Sequence, residues 1–207
     1  MLFRSIPLKQ SHSESTAQTA FNDFFAATAT LDDFETAFAP ALEKALVKTP
    51  EAALAAASAF LSSIDRSTTT TSATLLELLP AILLQAKSLL APVRAAASEL
   101  VVTLYGTADA ADVTPAAEIV YGPLKGGKTS SPDHRTTLFG ILARLPASAA
   151  LSPVLVGLTL SLLPKESNDV AIGAMMRVLA THLPAALDAG ATLPAPQLAA
   201  FRRRLAS

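Results

Sequence analysis

The sequence predicts an all-α fold, an α-solenoid of antiparallel helix pairs, and three observations carry that reading. Helix-opening signals recur at a step of roughly forty residues. Thr49-Pro50, Ala91-Pro92 and Ser131-Pro132 each precede an alanine- and leucine-rich run, and Asn168-Asp169 opens a fourth run without proline. Such a period marks stacked supersecondary units rather than one globular core. Composition agrees: hydrophobic residues make up 51% of the 207, aromatics only 5% and charged residues 16%. Alanine is the best helix former, and leucine at spacings of three and four fills helix seams. Finally, no short segment alternates as a half-buried strand must. Val101-Val102-Thr103 comes nearest and sits inside a helical period.

Residues 1–10 read as extended, since Pro7 discourages a helix, and residues 11–207 as the repeat array. A first helix is expected from Ser11 to Ala27, carrying Phe21, Phe24 and Phe25. Thr30 caps a second, with Asp32 and Asp33 in its first turn, where the helix dipole favours them. It runs to Lys48 with Pro40 inside as a kink, and Thr49-Pro50-Glu51 starts a third, which ends near Ile64. Asp65 to Ser72 is a threonine-rich connector. A helix over 74–88 contains Pro80; its partner opens at Pro92 and stops at Gly106. Thr114-Pro115 opens the next helix, to Leu124, and the Lys125–Ser131 loop leads into a helix over 132–145. Ser152-Pro153 opens another to Leu163, Asn168-Asp169 one to about Leu183, and 197–205 is a last short helix. The repeat units fall at approximately 31–64, 72–105, 112–145 and 151–183, with a partial unit at 194–207.

Charge and composition narrow the function classes. Net charge is −1, and a nucleic-acid binder ordinarily shows a basic stripe, because phosphate contacts dominate its affinity. Arg202-Arg203-Arg204 is the visible basic run. These three are the candidate contact with a partner. Cysteine is absent, which excludes disulfides and thiolate metal sites. No apolar run reaches the roughly 18 residues of a membrane span. The best candidate, Leu151 to Leu163, is broken by Ser152, Pro153, Thr159 and Ser161. Met1-Leu2-Phe3-Arg4 lacks the apolar core of a signal peptide, so the cytosol is expected and a membrane partner is not.

One motif points elsewhere. Gly122-Pro-Leu-Lys-Gly-Gly-Lys128-Thr129 matches the phosphate-binding loop pattern. Such a loop needs a strand before it and a helix straight after its lysine, yet Ser130-Ser131-Pro132 places the helix start later. We therefore read an inter-helix loop, with no cofactor and no catalytic residue. His12, His134 and His182 have no carboxylate pattern of a metal site around them and read as structural. Phe21, Phe24, Phe25, Phe34 and Phe38 read as core.

Helix pairs of this kind resemble HEAT repeats, in the armadillo-like, alpha-alpha superhelix class. Pro92-Val-Arg-Ala-Ala-Ala-Ser-Glu-Leu100 is similar to the HEAT second-helix pattern of valine-arginine, a small residue, then leucine. In that pattern an arginine near the turn reaches an acid of a neighbouring unit; Arg135 and Arg177 are the rough equivalents of Arg94. Two stretches resemble the large HEAT-repeat translational activators of the general control non-derepressible one family. They are Pro40-Ala-Leu-Glu-Lys-Ala-Leu-Val-Lys-Thr-Pro-Glu51 and Leu162-Leu-Pro-Lys-Glu-Ser-Asn-Asp169, with Ala171 and the helix to His182-Leu183. The resemblance implies part of the family's amino-terminal solenoid, and neighbouring HEAT repeats as partners if the chain is a fragment. It also implies a non-catalytic scaffold that associates with ribosomes and translation proteins in the cytoplasm. The family promotes activation of the initiation-factor-two alpha kinase in the amino-acid starvation response. A HEAT adaptor for trafficking or cytoskeletal partners is the alternative, and direct RNA contact stays open.

Overall fold

The computed structural model describes residues 39–63, 72–106, 108, 110–125 and 131–205. Within them lie nine α-helices. They are α1 Ala39–Lys48, α2 Pro50–Ser63, α3 Ser72–Gln85, α4 Ala91–Tyr105, α5 Ala110–Lys125, α6 Pro132–Leu142, α7 Ser152–Leu162, α8 Asp169–Asp188 and α9 Ala195–Leu205. A single 3-10 turn, Leu163–Lys165, continues α7, and no strand occurs among the described residues. The expected helix over 11–27, the five early phenylalanines, His12, the connector over 65–71 and the loop over 126–130 lie outside the described residues.

Local chemistry sets the helix ends. Pro92, Pro132 and Pro153 sit in first turns, where a missing amide costs nothing. Ser131 Oγ accepts the His134 amide at 3.2 Å and Asn168 Oδ1 the Ala171 amide at 3.0 Å. Such N-caps contribute about 1 kcal/mol each. Two expected boundaries move. α5 begins at Ala110, not Thr114, because Pro115 withholds an amide only from the carbonyl of the exposed Ala111 in the first turn. α8 runs past Leu183 to Asp188, because Pro184 lies on an exposed face and its lost hydrogen bond breaks no packing. It stops at Gly190, whose φ of +79° suits a residue without Cβ, and the Ala191 amide closes back on the Ala186 carbonyl at 2.9 Å.

Packing orders the helices into two layers. α1 pairs with α2, α3 with α4, α5 with α6 and α7 with α8. In the second layer α2, α4, α6 and α8 form an unbroken series of neighbours. In the first layer α1 packs on α3, α3 on α5, and α7 on α9, but α5 and α7 do not pack closely on each other. The architecture is the expected α-solenoid. One continuous core runs along it, with Leu54, Leu79, Leu100, Leu104, Leu124 and Phe139 fully enclosed. Enclosing each such side chain contributes about 1.5–3 kcal/mol.

α8 departs from the expectation that no run is long and apolar enough to cross a membrane. Asp169–Asp188 meets that test by length and composition, since Arg177 is the one charge between its terminal aspartates. It lies against α6 and α7, burying Ala174, Met175, Val178, Leu179 and His182, as the central helix of a packed unit does.

Candidate functional site

Each second-layer helix buries one stripe and presents the opposite one. α4 buries Val93, Ala97, Leu100 and Leu104, which leaves Ala91, Arg94, Ala95 and Ser98 on one outward stripe. α6 buries Leu138, Phe139, Ile141 and Leu142 and presents Thr137 and Gly140, and Arg144 continues that face in the turn after it. α8 presents Arg177, Ala180 and Thr181. The three stripes line a groove of about 560 Å³, in the size range of ligand and peptide sites. Its floor is small, built from alanines and Gly140, and its polar groups are three arginines and three hydroxyls.

The arginines differ in how they are held. Arg94 is tied down: Nη1 donates to the Ser88 carbonyl at 2.7 Å and the Leu89 carbonyl at 3.0 Å, while Nη2 reaches Asp133 of the next unit at 3.0 Å. Arg144 clasps Glu99 of the preceding unit with both terminal nitrogens, Nη2 to Oε2 at 2.7 Å. That guanidinium holds the Glu99 carboxyl below its usual range, and the carboxylate raises Arg144 in return. Both partners stand more than a third exposed, so solvent screens the pair and a competing carboxylate can displace Glu99. Arg177 is exposed and makes no ion pair among the described residues.

Two further networks join α6 to the α7–α8 unit. Arg135 grips Glu166, Nε to Oε2 at 2.6 Å and Nη2 to Oε1 at 2.9 Å, and Oε1 also accepts the amides of Ser167 and Asn168 at 3.0 Å each. Hydrogen bonding from Arg135, and then from these amides, outweighs burial and holds the buried Glu166 carboxyl below its ordinary value. His182 is fully enclosed: Nε2 lies 3.0 Å from the Leu142 carbonyl and Nδ1 lies 3.1 Å from Ser152 Oγ. A carbonyl only accepts, so Nε2 carries the proton and Ser152 donates to Nδ1. Ser152 Oγ in turn accepts the Ser148 amide at 3.1 Å. Burial pushes the imidazole down and keeps it neutral. Thr181 Oγ1 adds a bond to the Ala143 carbonyl at 3.0 Å.

The expected arginine ladder is thus present in part. Arg94 meets Asp133 and Arg135 meets Glu166, each one unit on. Arg177 is not a rung: it lies two turns into α8 and faces the groove. Arg202 and Arg203 are exposed on α9 and do not line the groove; the Arg204 side chain lies outside the described residues. Sequence reasoning missed the groove, because its cations come from three helices at no fixed spacing. In the phosphate-loop look-alike, Gly122 to Lys125 are helical, the final turn of α5. There Lys125 pairs with Glu118 at 3.1 Å and stacks 4.8 Å from the Tyr121 ring centre. No cluster of three metal-ligating side chains occurs among the described residues.

No curated protein and no solved structure matches the chain. Two family models do, and they meet in the turn between α5 and α6. Residues 6–130 match the model described as stalled ribosome sensor GCN1 N-terminal, and residues 132–207 that described as general control nonderepressible 1 (Gcn1) N-terminal. A helical array of the expected kind, matched along nearly its whole length by these two models, belongs to the GCN1 N-terminal family.

Proposed function

We propose that this chain is a non-catalytic, HEAT-like scaffold that associates with ribosomes in the cytoplasm and takes part in translational control under amino-acid starvation. The observation that carries this reading is the family match to a stalled ribosome sensor over residues 6–130. The structure supports it from a different side. Stacked helix pairs present long surfaces and bury their apolar stripes against neighbours, which suits a docking scaffold. In this reading the chain supplies architectural surface to the regulation of the initiation-factor-two alpha kinase. Arg202, Arg203 and Arg204 on α9 are a contact for ribosomal RNA or protein.

Sucrose-gradient sedimentation of lysates from fed and starved cells tests this reading, with the protein tagged at its own locus. Co-migration with monosomes and polysomes is expected, with loss to the top of the gradient after high-salt washing. Absence from every ribosomal fraction in starved cells refutes the reading.

A further inference from the structure

We propose that the groove across α4, α6 and α8 is a docking site for an acidic peptide segment of a protein partner, one bearing small apolar residues between its carboxylates. The inference stands apart from ribosome association and rests on the groove alone.

Charge complementarity sets the sign. Arg144 and Arg177 stand exposed on its walls, and Arg94 adds a third cation. Arg177 is without a carboxylate among the described residues, and the Glu99 partner of Arg144 is itself largely in water. An incoming carboxylate can therefore take Arg177 outright and exchange with Glu99 at Arg144, each through the planar fork that suits bidentate pairing. The floor sets the shape. Ala91, Ala95, Gly140, Ala143 and Ala180 leave room for a backbone to approach closely. At Gly140 an added Cβ would meet nothing within 4 Å. Gly122, Gly157 and Gly173 share that openness, so it is not itself the signal. What Gly140 supplies is depth at the middle of the groove, on the central of its three helices. Polar handles complete the site. Pro184 carries no amide, so the Ala180 carbonyl loses its usual helical donor, and Ser98 and Thr137 line the same space.

The same features argue for protein rather than RNA. Glu99 and Asp133 interleave the arginines, so no continuous track of free cations exists for phosphates to follow. The lining also holds no aromatic side chain on which a base could stack. A helix or extended strand laid in a shallow groove over small residues is a recurrent mode of peptide capture.

The test uses the full chain and a fluorescein-labelled synthetic peptide of glutamate, alanine and leucine with glutamates at helical spacing. Controls are its lysine counterpart and a single-stranded RNA oligonucleotide, all read by anisotropy at low salt. The acidic peptide is expected to bind, and the lysine peptide and RNA are not. The double variant R144A/R177A, both residues exposed, weakens binding roughly tenfold or more. Gly140→Leu fills the floor and abolishes binding. It also replaces a helical glycine where an added Cβ meets nothing within 4 Å, so thermal unfolding shifts upward. That upward shift separates a blocked groove from a damaged fold. R202A/R203A leaves peptide binding unchanged. No binding of the acidic peptide up to about millimolar concentration, binding indifferent to G140L, or preferential binding of RNA each overturns the proposal.

Discussion

Replacing Arg135 by alanine strikes the join between the α5–α6 and α7–α8 units. Glu166 retains only 6% of its side-chain exposure and Arg135 22%, so the carboxylate is the member water cannot rescue. Arg135→Ala removes two charge-assisted hydrogen bonds at 2.6 and 2.9 Å. Stripping one partner from a fully buried ion pair costs about 3–5 kcal/mol. Here the Ser167 and Asn168 amides still serve Oε1, so the expected loss is about 2–3 kcal/mol. Glu166→Gln leaves the more exposed Arg135 behind and costs less, about 1–2 kcal/mol. The double variant R135A/E166Q falls short of the sum, since both members act through one contact. Urea unfolding followed by far-UV circular dichroism measures all three. The sign with pH follows from the carboxyl being held below its ordinary 4.5. The folded state binds fewer protons than the unfolded chain, so the pair stabilises above that ordinary value. The gain is lost as pH falls through the lower folded value. Arg135→Ala should flatten this acid limb. A variant within about 0.5 kcal/mol of wild type at neutral pH, with an unchanged acid limb, refutes the reasoning.

Two other outcomes are expected. The His182 imidazole is kept neutral by burial, so the unfolded chain takes up its proton first as pH falls below its ordinary 6.5. Stability should therefore decline as pH falls below that ordinary value, and level off once the folded imidazole is protonated as well. His134, lowered by burial and by Lys87, contributes with the same sign, so His182→Gln should reduce the slope without abolishing it. Equal slopes for wild type and variant in urea titrations would exclude this. Tyr105 Oη is buried without a hydrogen-bond partner among the described residues, and burial with Tyr121 nearby raises the phenol far above its ordinary value. Tyr105→Phe should thus be neutral or stabilising by up to about 1 kcal/mol, seen as an unchanged or higher Tm, and a loss above that size would reveal a missed partner.

Much of the fold was legible because it depends on local signals. Proline or asparagine at a helix start, alanine and leucine at helical spacing, and the forty-residue step each act over a few residues. The pairing of α3 with α4 and of α5 with α6 follows from short connections. Pro80 lies inside its helix as expected, but two other prolines misled. Pro115 and Pro184 resemble breaks, but both face solvent, and whether a lost hydrogen bond matters depends on which face carries it. The groove was not legible. Arg94, Arg144 and Arg177 become neighbours only because three helices stack in register, and register is a tertiary property. His182 was read as structural, and the structure supplies what the sequence lacked: Ser152 and the Leu142 carbonyl, 30 and 40 residues away.

The sparse packing between α5 and α7 has a mechanical consequence. Where those helices pack only loosely, the two halves are held mainly along the opposite side, by α6 on α8 and by the bonds of Glu166, Thr181 and His182. A rod fastened on one side only is compliant in one direction and stiff in the other. Bending that parts α5 from α7 breaks little, whereas bending that parts α6 from α8 must tear out an ion pair and a buried imidazole. The molecule thus carries a built-in preferred direction of flexure, located at the join between the α5–α6 and α7–α8 units.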